Sequence, residues 1–372
     1  MTQFCNLLLL TFLLLCTTQT ANASSDIPHI LILNSYDESD EWETAIMDSF
    51  SDTFSLDATI DTLYLDLESE EVADNQQKTL ARLTEMYANK QLDLIISVDD
   101  LAFDLMRPEI LNETSLFFET PLAFIGCNES TILTDKEKQY MTGIIDDYNT
   151  PTLIETIKAM QPLANEIETL HLIFDETPYS QKQRTALLNT THSIPFELNI
   201  IEHTYFEDVQ LALESIDTNN SAVIVSGIFK NQETDSYVLP STVVQTLTEQ
   251  LAVPILSDRQ AYFETDVMGG YYDDGFIAGQ LLASLTEEIL TQDDIRLIPV
   301  RREPLASFTF DYKQLRAHDF NFSHISPQTV LTNQSFMYVL TSNPIFLILA
   351  VTIALIGGIT LRFKYRNKKR NV

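Results

Sequence analysis

Glycine is scarce in this chain, 9 residues in 372. Phosphate-cradling loops need clustered glycines, and Gly269, Gly270, Gly275 and Gly279 do not spell G-x-G-x-x-G, nor does a G-K-[ST] follow them. A nucleotide-binding enzyme is disfavoured on that ground. Basic residues are also few: 22 Lys and Arg against 54 Asp and Glu, a formal charge of −32. A surface that acidic repels phosphate backbones, so a nucleic-acid partner is excluded. Cysteine is limited to Cys5, Cys16 and Cys127. If the first two leave with a targeting segment, no internal disulfide is possible, and Cys127, after an apolar run, reads as a buried structural thiol. The six histidines show no metal spacing, and neither a G-x-S-x-G elbow nor a D-x-D-x-D-G loop is present. No metal, no cofactor and no catalytic residue is therefore expected. The ordinary 45% hydrophobic fraction shows that the chain can still bury a core.

The two ends carry their own signals. Leu7–Leu15 is too short to span a bilayer, and Ala21-Asn22-Ala23 is a small-x-small cleavage pattern, so residues 1–23 read as a secretory signal. Residues 339–361 lack any charge and, as a helix, are long enough to cross a membrane. Arg362, Lys364, Arg366, Lys368, Lys369 and Arg370 follow at once. The positive-inside rule places that tail, residues 362–372, in the cytoplasm and the acidic bulk of the chain outside.

Between about 27 and 310, short apolar runs alternate with amphipathic stretches. His29–Asn34, Thr62–Asp66, Leu92–Val98, Leu122–Gly126 and Met141–Ile145 read as strands in the first block. Leu170–Phe174, Leu198–His203, Ala222–Ser226 and Val253–Leu256 repeat the rhythm after Pro151, with helix-spaced segments between them and Gly275–Leu290 as a further helix. The alternation predicts α/β architecture with parallel sheets in two lobes, 24–148 and 149–336, with part of 255–295 crossing back to the first. Ligands in such sheets sit at the carboxyl ends of the strands.

That rule selects the candidate contacts. Ser35, Tyr36 and Asp37 follow the first strand, and read either as a ligand loop or as a polar turn with a helix cap. Trp42, the only tryptophan, is a lid over a ligand or a helix residue packed on its lobe. Ser97, Asp99 and Asp100 end the third strand, where they bind ligand or cap the next helix. Asn128 is a cleft amide or a turn former, and Asp175 follows a strand end in the second lobe. Asp258, Arg259 and Tyr262 follow another; Arg259 holds a ligand carboxylate bidentately or pairs with a neighbouring acid. Gly269 and Gly270 allow close backbone approach or turn the chain.

Several stretches together resemble a known family. Ile30–Trp42 reads I-L-I-L-N-S-Y-D-E-S-D-E-W, Leu92–Asp100 reads L-D-L-I-I-S-V-D-D, and Pro121–Asn128 reads P-L-A-F-I-G-C-N. Phe310–Leu315 reads F-D-Y-K-Q-L, followed by Val330-Leu331-Thr332-Asn333 and Ser335-Phe336. Over about 27–336 the chain is similar to ABC-transporter substrate-binding proteins of the tryptophan/tyrosine-binding type, also used as periplasmic sensor domains of histidine kinases and diguanylate cyclases. The resemblance implies a type I periplasmic-binding-protein fold, two lobes joined by crossovers, with a small ligand in the cleft; no enzymatic activity is expected, because no catalytic constellation is present in the sequence. It implies a place at the bacterial inner membrane, with the folded part in the periplasm. Family members often carry His-Pro where this chain has Asp37-Glu38-Ser39-Asp40-Glu41, so ligand identity does not carry over. The expected function is a membrane-anchored receptor that binds a small solute, such as an amino acid or peptide, and signals to a separate membrane partner. The alternatives are a tethered binding protein serving an ABC permease and a sensor truncated before its kinase or cyclase domain.

Overall fold

The structure is a computed structural model that describes residues 27–67, 72–128, 133–146, 149–163, 166–190, 194–263, 265–292, 294–321, 325–326, 328–342 and 344–370. The expected signal segment, 1–23, lies outside the described residues.

Thirteen strands can be named among the described residues. The first sheet takes β1 (His29–Asn34), β2 (Thr59–Tyr64), β3 (Leu94–Val98), β4 (Leu122–Asn128), β5 (Met141–Asp146) and β11 (Arg301–Arg302). Its order is β11-β5-β4-β3-β1-β2, and every pairing is parallel. The second sheet takes β6 (Thr169–Phe174), β7 (Glu197–Glu202), β8 (Ser221–Val225), β9 (Ile255–Ser257), β10 (Gly269–Asp273), β12 (Ala306–Asp311) and β13 (Val330–Thr332), in the order β13-β12-β10-β9-β8-β6-β7. Only β10 and β12 run antiparallel in it. β3 and β8 are buried throughout, which is why their sequences read as unbroken apolar runs: helices cover both faces of a parallel sheet.

The helices are α1 (Glu41–Thr53), α2 (Val72–Tyr87), α3 (Asp99–Leu111), α4 (Asn149–Ala159), α5 (Pro178–Thr190), α6 (Phe206–Leu213), α7 (Pro240–Leu251), α8 (Gly275–Thr291), α9 (Tyr312–Ala317), α10 (Phe336–Ser342) and α11 (Pro344–Arg370). Each sheet has its own core. Leu31, Leu33, Ile95, Phe103 and Phe124 fill one side of the first, and Leu170, Leu172, Phe174, Leu256 and Phe310 one side of the second. After β10 the chain returns to the first sheet, where Ala278, Leu282 and Leu285 of α8 join Ile30, Ile46 and Ile96. Ser49 Oγ donates to the Phe276 carbonyl at 2.7 Å and locks α8 along α1.

The differences from the sequence reading are local. The expected strand at Thr62–Asp66 forms at 59–64, because edge pairing with β1 and not the apolar run sets its limits. Gly269 and Gly270 do not turn the chain but lie inside β10, where a Cβ on Gly270 would meet the Ser257 carbonyl oxygen. Glycine is needed there because neighbouring backbones approach too closely for any side chain. The expected span at 339–361 falls on α10 and α11. Among the described residues, no helix is long and apolar enough to cross a membrane.

Candidate functional site

The carboxyl ends of β1, β3 and β4 carry the first cluster. β1 ends on buried Asn34 and Ser35. The Ser35 hydroxyl donates to the Val98 carbonyl at 2.6 Å and accepts the Ala102 N–H at 2.9 Å, fastening α3 to the strand ends. Glu43 of α1, fully buried, accepts the N–H groups of Ser35 at 2.6 Å and Tyr36 at 3.0 Å. Burial pushes its carboxyl up to about 8, against the pull of those two bonds. Asp37 is exposed and accepts the Ser39 N–H in a local turn, while Asp40 caps α1 by accepting the Glu43 N–H at 2.8 Å.

Asp99 opens α3 in the left-handed region, φ 67°. Its partly buried carboxylate faces the Tyr36 hydroxyl at 3.4 Å. Burial, then the charges of Asp100, Asp273 and Asp40, push Asp99 up to about 7. Asp100 accepts Asn128 Nδ2 at 2.7 Å, so these two candidates satisfy one another. Ser97 is buried and its hydroxyl turns to the Ala123 carbonyl. Trp42 packs its ring against Gly126, whose positive φ of 78° and missing side chain leave the room: a Cβ would come within 2.6 Å of the indole. The buried Trp42 Nε1 has no hydrogen-bond partner among the described residues.

The second cluster sits at the ends of β6, β9 and β10. Asp175 is buried and spent on the backbone, accepting the N–H groups of Thr177 at 2.9 Å and Ile228 at 2.7 Å. Asp258 is buried and accepts the Thr150 hydroxyl and Gln183 Nε2, the latter at 3.0 Å; burial raises its pKa. The Arg259 guanidinium lies over the Tyr179 ring at 4.5 Å. It makes no hydrogen bond or ion pair among the described residues; burial lowers its pKa, but Tyr179 and then Asp175, Asp258 and Asp273 outweigh burial and raise it. Asp273 accepts Asn149 Nδ2 at 2.7 Å, and burial pushes it up to about 6. Tyr262 corrects the sequence reading: it is 1% exposed, packs in the core, and donates its hydroxyl to the Gly227 carbonyl at 2.7 Å. Its apolar body is drawn inward because its hydroxyl finds a partner there.

One link joins the two clusters: the charge of Asp273 on the second sheet contributes to the raised pKa of Asp99 on the first. Of the sequence candidates, Tyr36 and Asp99 meet in the first cluster and Asp258 and Arg259 lie together in the second. Sequence reasoning missed Glu43, Asn149, Tyr179 and Asp273. A signal existed for Glu43, since Asp40-x-x-Glu43 is a capping-box pattern, though the carboxylate caps strand-end amides instead. Asp273 was hidden because β10 begins with two glycines. Among the described residues no group of three or more His, Cys, Asp or Glu could hold a metal ion. Cys127 is buried, and burial raises its thiol well above the usual range. Two half-open pockets, of about 230 and 290 Å³, lie elsewhere, beside Tyr87 and beside Tyr272.

No family model and no curated protein matches the chain. Solved structures do. A ligand-free, open substrate-binding protein with adhesive properties from Clostridium difficile superposes with a TM-score of 0.60 at 13% identity, covering 83% of this chain and all of that one. The ABC domain of a Streptococcus pneumoniae protein in complex with L-Trp gives 0.55 at 14% identity, over 82% of this chain and all of that one. A conserved domain protein from Vibrio cholerae gives 0.52 at 12%, over 78% and 94%. At such identities the likeness is one of fold, and the fold of this chain is the two-sheet α/β architecture of periplasmic-type substrate-binding proteins.

Proposed function

We propose that the chain is a membrane-anchored receptor that binds a small zwitterionic solute, an amino acid or short peptide, in the groove between its two sheets. One observation carries this reading. The Arg259 guanidinium is held against Tyr179, with Asp175, Asp258 and Asp273 near it, yet it makes no hydrogen bond or ion pair among the described residues. A ligand carboxylate would satisfy the guanidinium, and its ammonium would meet Asp99 and Asp273. The rings of Tyr36, Trp42 and Tyr179 would flank its side chain. The bound L-Trp of the pneumococcal neighbour is in keeping with that chemistry.

The anchor in this proposal is α11. Ile345 (73% exposed), Ile348 and Leu355 present apolar surface to solvent, and six basic residues close the chain. On this reading the folded part stands in the periplasm and the receptor signals to a separate membrane partner. A second reading, delivery to an ABC permease, draws support from the substrate-binding proteins among its structural neighbours. Both share the ligand test: a thermal-shift screen of the full chain in detergent micelles against amino acids, peptides, sugars and nucleosides. An amino acid or peptide should raise Tm, and Arg259→Ala should abolish that rise. Stabilisation by sugars or nucleosides alone, or an amino-acid shift that survives Arg259→Ala, overturns the assignment. Uptake of the labelled ligand by cells with and without the chain separates delivery from signalling.

A further inference from the structure

A second site stands out at the opposite end of the second sheet from the groove. Asp273, in the groove, ends β10; β12 runs antiparallel to β10, so Asp311, the last residue of β12, lies at the far end. There a cavity of about 290 Å³ is lined by Phe263, Asp266, Tyr272, Thr309, Asp311 and Asn333, among others. The Tyr272 ring runs back along its strand toward this cavity. Its hydroxyl-bearing carbon sits over Gly270, 3.0 Å from where a Cβ would be. Tyr272 is 3% exposed, and its hydroxyl has no hydrogen-bond partner among the described residues. A buried hydroxyl left unsatisfied costs stability, so such a group in a cavity wall points to a ligand that completes it.

The walls say what kind of ligand. Asp266 and Asp311 bring two carboxylates, and the described lining holds no Lys, Arg or His. Asp311 spends Oδ1 on capping α9 and is steadied by Asn333 Nδ2 at 2.5 Å on Oδ2. Asp266 is exposed and accepts no hydrogen bond among the described residues. Phe263 meets the Tyr272 ring edge-on at 5.6 Å, giving one apolar wall. We propose that this cavity is a second binding site, for a small organic ammonium ion with an apolar body. The ammonium meets Asp266 and Asp311, the Tyr272 hydroxyl accepts one of its N–H bonds, and Phe263 covers the body. Asn333 lies on the connection from β13 to α10, so an occupied site braces the root of the C-terminal helices.

The test is titration calorimetry on the full chain in detergent micelles, with 2-phenylethylamine as probe and neutral 2-phenylethanol as control. Saturable binding of the amine, but not the alcohol, is expected. Asp266→Asn should weaken it about tenfold, as loss of one charge-assisted contact does. Tyr272→Phe should weaken it as well, while Arg259→Ala and Asp99→Asn leave it unchanged. The proposal is overturned if no saturable amine binding is seen or if the alcohol binds equally. It is overturned equally if the affinity survives Asp266→Asn and Tyr272→Phe, or if Asp99→Asn abolishes binding, which assigns the amine to the groove. It stands or falls independently of the amino-acid reading.

Discussion

If the groove takes a ligand ammonium between Asp99 and Asp273, its affinity must depend on pH in one direction. Burial and neighbouring acids push Asp99 from 3.8 to about 7, and burial pushes Asp273 to about 6. A carboxyl with a pKa near 7 is about 3% ionised at pH 5.5 and about 90% ionised at pH 8. A ligand that needs the ionised form therefore binds about 30-fold more weakly at the lower pH, roughly 2 kcal/mol. Both folded-state values lie above the ordinary range, so the ligand-free fold loses stability as pH rises from about 4 toward 7, while the ligand's contribution grows over the upper part of that window. Calorimetry of the stabilising amino acid between pH 5.5 and 8 measures this. Repeating it at pH 6.5 in two buffers of different ionisation enthalpy counts the protons released on binding. Asp99→Asn should bind weakly and with a flattened pH profile. Affinity that is flat with pH in the unsubstituted chain, or that increases as pH falls, refutes the assignment of the ammonium to these carboxylates.

Three further outcomes follow from the packing. Glu43→Ala strands the N–H groups of Ser35 and Tyr36 and should cost about 2–5 kcal/mol by chemical denaturation, whereas Glu43→Gln keeps an acceptor for one of the two and should cost less than Glu43→Ala. Because the Glu43 carboxyl is raised to about 8, its stabilising effect is lost as pH climbs through that value, and the Gln variant should lack this slope in Tm. Gly270→Ala drives a methyl into the Ser257 carbonyl and should cost more than about 2 kcal/mol, read by thermal melting. For the proposed anchor, a cysteine at Ser342 should react with a membrane-impermeant maleimide in spheroplasts, and one at Asn371 only after lysis; the reverse pattern refutes the orientation.

What the sequence could disclose depended on how each residue is employed. Parallel strands buried on both faces write themselves as apolar runs, so β1, β3, β4, β6 and β8 were legible from composition alone. β10, β12 and β13 were not: Gly269 and Gly270 look like a turn, and an antiparallel step after α8 breaks the strand–helix rhythm. The same limit governed the site. Position at a strand end located Asp99, Asp175, Asp258 and Arg259 equally well, yet it could not tell a carboxylate spent on backbone N–H groups from one left facing the groove. Asp175 bonds Thr177 and Ile228, Asp100 bonds Asn128, and Tyr262 bonds Gly227, all partners brought in by tertiary packing. Arg259 differs because its stacking partner, Tyr179, holds it by a ring face that neutralises no charge. Asp175, Asp258 and Asp273 lie near enough to raise the pKa of Arg259 without bonding to it among the described residues, so its N–H donors are left for a further partner. On the proposed reading a ligand carboxylate would take those donors as a bidentate partner, and the Arg259→Ala thermal-shift result decides between that role and a purely structural stacking contact.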